Sequence, residues 1–134
     1  MLVRTEGKEP QVIECDYALY GTGRRPYTDN LGLADLGITT QRGTILVDDY
    51  LRTNVPGVYA IGDVVPGAML AHKASYDGEC AIDNILGHER RADYRAVPDV
   101  VFTLPEIASV GITEAYAKEQ SIPVRVTKFP FAAL

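Results

Sequence analysis

Three features of the sequence predict an α/β fold. Short apolar runs stop abruptly at glycine, Cys15–Tyr20 before Gly21 and Val58–Ile61 before Gly62, as buried strands do where they enter loops. A long helical stretch from about Leu70 to Leu86 follows and is stopped by Gly87. The 134 residues are 46% hydrophobic and 23% charged, values of a folded globular chain, which excludes disordered, collagenous and low-complexity classes.

The elements follow in order. Leu2–Thr5 and Gln11–Glu14 flank the polar link Glu6–Pro10, which holds a Gly and a Pro, so a hairpin is expected. Cys15–Tyr20 is the first buried strand. Arg24–Asn30 is irregular, and Leu31–Leu36 is a short helical turn closed by Gly37. Gly43–Val47 and Val58–Ile61 are strands, separated by a polar connector with a Pro56-Gly57 turn. After the helix, His88–Ala96 carries five charged side chains (Glu89, Arg90, Arg91, Asp93 and Arg95) and is the best linker in the chain. Beyond it Val100–Thr103 is a strand, Thr113 caps a helix from about Glu114 to Gln120, and Pro123–Phe129 is a closing strand.

Charge and cysteine usage narrow the function. A net charge of -5 repels phosphate backbones, so general nucleic-acid binding is not expected. No apolar run approaches the roughly 20 residues of a membrane-spanning helix, and the opening Met1–Glu6 is too polar for a signal peptide. Cys15 and Cys80 fit neither a disulfide framework nor a zinc spacing, which points to a reducing, cytoplasmic setting.

Four segments carry candidate chemistry. Gly21-Thr22-Gly23-Arg24-Arg25-Pro26 starts like a dinucleotide loop, but Pro26 stands at the third glycine and no helix follows. Gly23 either lets the backbone approach a ligand closely or serves a tight crossover. Gly62-Asp63 places a carboxylate at the end of a strand, where α/β sheets bind ligands; Asp63 either accepts from ligand hydroxyls or caps a neighbouring element. Met69-Leu70-Ala71-His72-Lys73-Ala74 opens the long helix, whose free amides favour an anionic partner. Ala71, Ala74, Gly78 and Ala81 form a small-residue face suited to a sheet or a flat ring, and His72 is a base, a ligand or a surface histidine. Phe102–Gly111 shows no catalytic spacing, and two histidines with two isolated cysteines build no nucleophilic constellation.

Taken together, these segments resemble the flavin-dependent pyridine nucleotide–disulfide oxidoreductases. The matching stretches are Gly23–Pro26, Asn30–Leu33, Val47–Asp49, Arg52–Val65, Met69–Ala74, Pro105–Gly111 and Lys128–Ala133. The Thr53–Asp63 run marks the wider family. Met69–Ala74 points to the branch that oxidises dihydrolipoamide, since relatives acting on glutathione or mercury carry other residues there.

The resemblance implies an internal fragment of a longer flavoprotein. Residues 1–95 would be the end of the NAD- and FAD-binding domains, a doubly wound region, and 96–134 the truncated start of an α+β dimerisation domain. The implied activity is oxidation of protein-bound dihydrolipoamide to lipoamide, with electrons passing through a disulfide and FAD to NAD. The implied partners are a second copy in a homodimer and the lipoyl-bearing enzymes of 2-oxoacid dehydrogenase or glycine cleavage complexes, with no nucleic acid and no membrane. The family's redox cysteine pair, its N-terminal GxGxxG and its C-terminal His–Glu pair have no counterpart in this chain, so no catalytic residue is assigned. The cofactor-binding residues it implies are Gly23 toward NAD, and Gly62, Asp63, Met69, Leu70, Ala71 and His72 toward FAD. Asp63 would hydrogen-bond the ribityl chain, and the helix start would face the flavin N1/O2 edge, where a helix dipole stabilises negative charge. Two other readings are a different flavoprotein disulfide reductase of the same family and a non-catalytic remnant that acts only by association.

Overall fold

The computed structural model describes residues 1–131; residues 132–134, which include the end of the Lys128–Ala133 run, lie outside the described residues. The chain begins with the expected hairpin: β1 (Leu2–Val3) pairs antiparallel with β2 (Gln11–Val12), Leu2 opposite Val12. A second hairpin joins β3 (Thr40–Gln41) to β4 (Thr44–Ile45). Arg42 and Gly43 both have positive φ in its two-residue turn, the backbone that matches the strand twist. The sequence reading found β4 but not its partner. Between the hairpins, Gly37 closes the Leu31–Leu36 turn in the left-handed region, with Ile38 N–H donating to Leu33 O at 2.9 Å.

Three expected strands do not form. Cys15–Tyr20 is irregular and its side chains face outward, Tyr17 at 93% and Leu19 at 98% exposure. Val58–Ile61 keeps a single bridge, Tyr59 to Arg52, and Pro123–Phe129 has no ladder. Apolar patterning makes a strand only where a neighbouring backbone accepts its hydrogen bonds; for Val58–Ile61 that neighbour is only the short Leu51–Thr53 stretch, and Cys15–Tyr20 and Pro123–Phe129 pair with none of the described residues. The sheets among the described residues are three two-stranded antiparallel ribbons.

The long helix α1 spans Ala71–Ile85, within a residue of the expected limits at each end. Gly87 ends it at φ 86°, and His88 N–H returns to Asp83 O at 2.9 Å. Two small apolar clusters form the core. Ile38, Ile45, Ala60 and Val65 make one, and Leu51, Cys80 and Ala81 make the other, with Val47 touching both. The small-residue face of α1 packs inward from Ala74 on, with Ala71 exposed: a side chain at Gly78 would meet Ile61 at 3.7 Å, and Ala81 is buried.

The segment 88–96 is not a free linker. Buried Asn84 donates to Arg90 O at 2.7 Å and accepts from Arg90 N–H at 2.9 Å, a two-way lock that its charged composition hid. Ala92 N–H donates to Asp49 O, Arg91 pairs with Asp49, and Arg90 pairs with Asp83 at 2.9 Å. Beyond it β5 (Asp99–Val101) pairs with β6 (Ile107–Ser109), and α2 (Glu114–Glu119) follows. Thr113 caps α2 as expected, accepting from Tyr116 N–H at 3.1 Å. Phe102 and Leu104, after β5, are 83% and 101% exposed.

Candidate functional site

The site is built where the chain runs from Ala60 into α1. A short helical turn, Gly62–Val64, stands against the first half of that helix. Gly62 adopts φ 74°, and a Cβ placed there would lie 3.2 Å from Ala74 Cβ. A side chain there would strain the backbone and press on Ala74, so glycine suits this approach. The turn leaves Asp63 exposed, with no hydrogen-bond partner among the described residues. Its carboxylate therefore keeps all its acceptor capacity.

Helix α1 opens at Leu70 in extended conformation, without a side-chain cap. The amides of Ala71, His72 and Lys73 have no acceptor among the described residues, whereas Ala74 N–H donates to Leu70 O at 3.0 Å. Three unpaired N–H groups at the positive end of a helix of 15 residues are ready donors to electron-rich atoms. Arg24 holds the approach to this helix, donating from Nη1 to Met69 O at 2.9 Å. That bond brings the loop of Gly23, itself at φ 80° with open space around it, to the start of α1.

The expected site residues therefore separate into two groups. The turn of Gly62 and Asp63 packs against α1 at Ala74 and Asp77, and the Gly23 loop is tied through Arg24 to Met69 at the start of the same helix. His72 is engaged elsewhere: its Nε2 lies 2.8 Å from Pro98 O, so Nε2 carries a proton and donates to the strand side of the molecule. A cavity of about 200 Å³ beside the helix start runs between Leu70, Lys73, Tyr94 and Val97.

Behind the site is a buried polar cluster that the sequence reading did not single out. Asp77 is fully buried and accepts three hydrogen bonds, from Lys73 Nζ at 2.7 Å, Tyr94 Oη at 2.8 Å and Gly62 N–H at 3.0 Å. Lys73 is 2% exposed, and its ammonium also sits 4.9 Å from the centre of the Tyr94 ring. Burial, reinforced by the Asp77 carboxylate it donates to, pushes the Tyr94 phenol well above its ordinary range. The i, i+4 spacing of Lys73 and Asp77 was the one signal available beforehand. Nothing local in the sequence brings Tyr94 to that pair.

An unpaired carboxylate on a turn packed against α1, and unpaired amides at the start of that helix, suit a ligand with hydroxyl donors on one part and an electron-rich edge on another. That is the chemistry of the ribityl chain and flavin ring of FAD, so the residues present fit that cofactor.

Comparison with known proteins identifies the relatives. The family profile described as pyridine nucleotide-disulphide oxidoreductase matches residues 2–78, and that of the family's dimerisation domain matches residues 97–134. The chain is 55% identical over 126 residues to a dihydrolipoyl dehydrogenase of Geobacillus stearothermophilus, and 52% identical over 126 residues to that of Bacillus subtilis. Each alignment covers 93% of this chain and 27% of the relative. A mitochondrial dihydrolipoyl dehydrogenase of Arabidopsis thaliana is 50% identical over 96% of this chain and 25% of its own length. Among solved structures, the HOCl-induced flavoprotein disulfide reductase RclA of Escherichia coli superposes with a TM-score of 0.71 at 33% identity, covering 84% of this chain and 26% of that one. The chain thus spans about 27% of the length of curated relatives it matches. The two profiles follow in the order expected from the sequence, an FAD/NAD(P)-binding region and then the start of a dimerisation domain. The chain belongs to the pyridine nucleotide-disulphide oxidoreductase family.

Proposed function

We propose that this chain is part of an enzyme that oxidises protein-bound dihydrolipoamide to lipoamide with NAD as acceptor, and that it forms part of the FAD cradle and of the NAD edge. The observation that carries this reading is identity of 50–55% to dihydrolipoyl dehydrogenases over at least nine-tenths of the chain. The open start of α1 in the Met69–Ala74 motif supports it. Bound FAD would relay an electron pair from the substrate thiols to NAD. Asp63 would accept hydrogen bonds from the ribityl hydroxyls. The amides of Ala71, His72 and Lys73 would donate to the flavin edge on which charge gathers, which would favour the reduced state. Arg24 holds the Met69 carbonyl and keeps the Gly23 loop, where NAD approaches, beside that helix.

The same reading divides the chain into cofactor-binding residues 1–95 and a dimerisation segment 96–134. It places the enzyme in the cytoplasm as a homodimer that serves lipoyl-bearing complexes. No helix among the described residues is long and apolar enough to cross a membrane. The test is expression of the full reading frame that contains this chain. A yellow protein that forms NADH from NAD on addition of dihydrolipoamide supports the reading. A colourless protein, or a flavoprotein inert toward dihydrolipoamide, overturns it.

A further inference from the structure

Two of the three bonds to Asp77 reach outside α1, to residues 15 and 17 positions away, and the third holds Lys73 one turn back along the helix. Gly62 opens the turn that presents Asp63, Lys73 belongs to the first turn of α1, and Tyr94 lies beyond the helix. The Lys73 stem also fills the space over Gly67, where an added Cβ would meet its Cε at 3.2 Å, so the loop leading into α1 closes on the same cluster. Both charged partners are out of water, at 2% and 0% exposure. Such a pair holds its geometry tightly, because any movement would leave a buried charge uncompensated. Neither Asp77 nor Lys73 is needed to cover an apolar core, since both apolar clusters are made by other residues.

We propose that Asp77 is the positioning residue of the FAD site: it fixes the Gly62–Asp63 turn and the open start of α1 in the arrangement that receives the cofactor. This rests on the FAD-cradle reading given above. With Asp77 in place, the turn and the helix start are ordered before the ligand arrives. Without it, binding must order them, and that cost is taken from affinity. The Gly62 amide loses its acceptor and the turn no longer has a fixed relation to α1.

The experiment compares FAD affinity and folding in the full protein, using apoprotein and added FAD read by quenching of flavin fluorescence. Asp77→Asn keeps the size of the side chain but gives up the charge that holds Lys73. A triple variant, Lys73→Met with Asp77→Leu and Tyr94→Phe, removes the buried charges together, so that folding no longer suffers from an unpaired ion. We expect the triple variant's apoprotein to melt close to the unaltered apoprotein, yet to bind FAD at least tenfold more weakly, about the worth of one hydrogen bond to a charged group. Asp77→Glu is expected to recover part of the affinity that Asp77→Asn loses. FAD affinity in the triple variant equal to that of the unaltered protein would show the cluster to be structural only and would overturn the proposal. An unaltered protein that binds no FAD would instead remove the underlying reading, and this proposal with it.

Discussion

Gly62→Ala tests the geometry that puts the turn against the helix. Two costs can be worked out from the structure. The first is conformational: Gly62 sits at φ 74°, where an L side chain costs about 1–2 kcal/mol. The second is steric: the new methyl would lie 3.2 Å from Ala74 Cβ, and both carbons are fixed to backbone, so neither can rotate away. Forcing a methyl into such a contact adds about 1 kcal/mol, at the low end for overpacking. Together they predict a loss of about 2–3 kcal/mol. Gly57→Ala is the internal control, because Gly57 has φ 79° but open space where its Cβ would go. It should show the conformational cost alone, about 1–2 kcal/mol. Urea unfolding followed by far-ultraviolet circular dichroism measures both, as shifts of the midpoint at constant slope. Equal losses in the two variants would mean that Ala74 does not press on Gly62. A loss below about 0.5 kcal/mol at Gly62, the level of an ordinary surface change, would refute the left-handed backbone assigned there.

Three further outcomes are expected. Asp63→Ala should weaken FAD retention by about tenfold to a hundredfold, the worth of charge-assisted hydrogen bonds, and Asp63→Asn by less because its amide oxygen still accepts; flavin content per protein after gel filtration measures it, and equal content in all three proteins sinks the role. Native protein treated with a thiol reagent should be labelled at exposed Cys15 and spared at Cys80, whose thiol is pushed up by burial and donates to Arg90 O at 3.0 Å; peptide mass spectrometry that finds Cys80 labelled first would contradict this. Tyr94 should stay neutral through the ordinary phenol range near 10, so its contribution to stability is complete below that pH and is lost as pH rises above it; a difference titration of phenolate absorbance against Tyr94→Phe should be flat until alkaline unfolding, and an extra phenolate near pH 10 would show that the hydroxyl is not buried against Asp77.

What the sequence determined by itself is what depends on near neighbours. Helix α1 was legible within a residue because Gly87 ends it and its small residues recur at helical spacing. The Thr113 cap, the Gly37 turn and the first hairpin were legible for the same reason, since each is settled within a few residues. The family was legible from unbroken runs such as Thr53–Asp63 and Met69–Ala74. Tertiary structure decided everything that needs a distant partner. Cys15–Tyr20 and Pro123–Phe129 have strand composition, yet a strand exists only by pairing, and no described backbone lies beside them. The charged run 88–96 reads as linker, but Asn84 ties it to α1 through bonds that composition does not reveal. His72 stands in the expected motif and still donates to Pro98 O, 26 residues away. Asp77 looks like any acid on a surface helix until the fold brings Gly62 and Tyr94 to it. Burial raises the cost of leaving such a group unpaired, so its importance is fixed by surroundings that no local stretch of sequence contains.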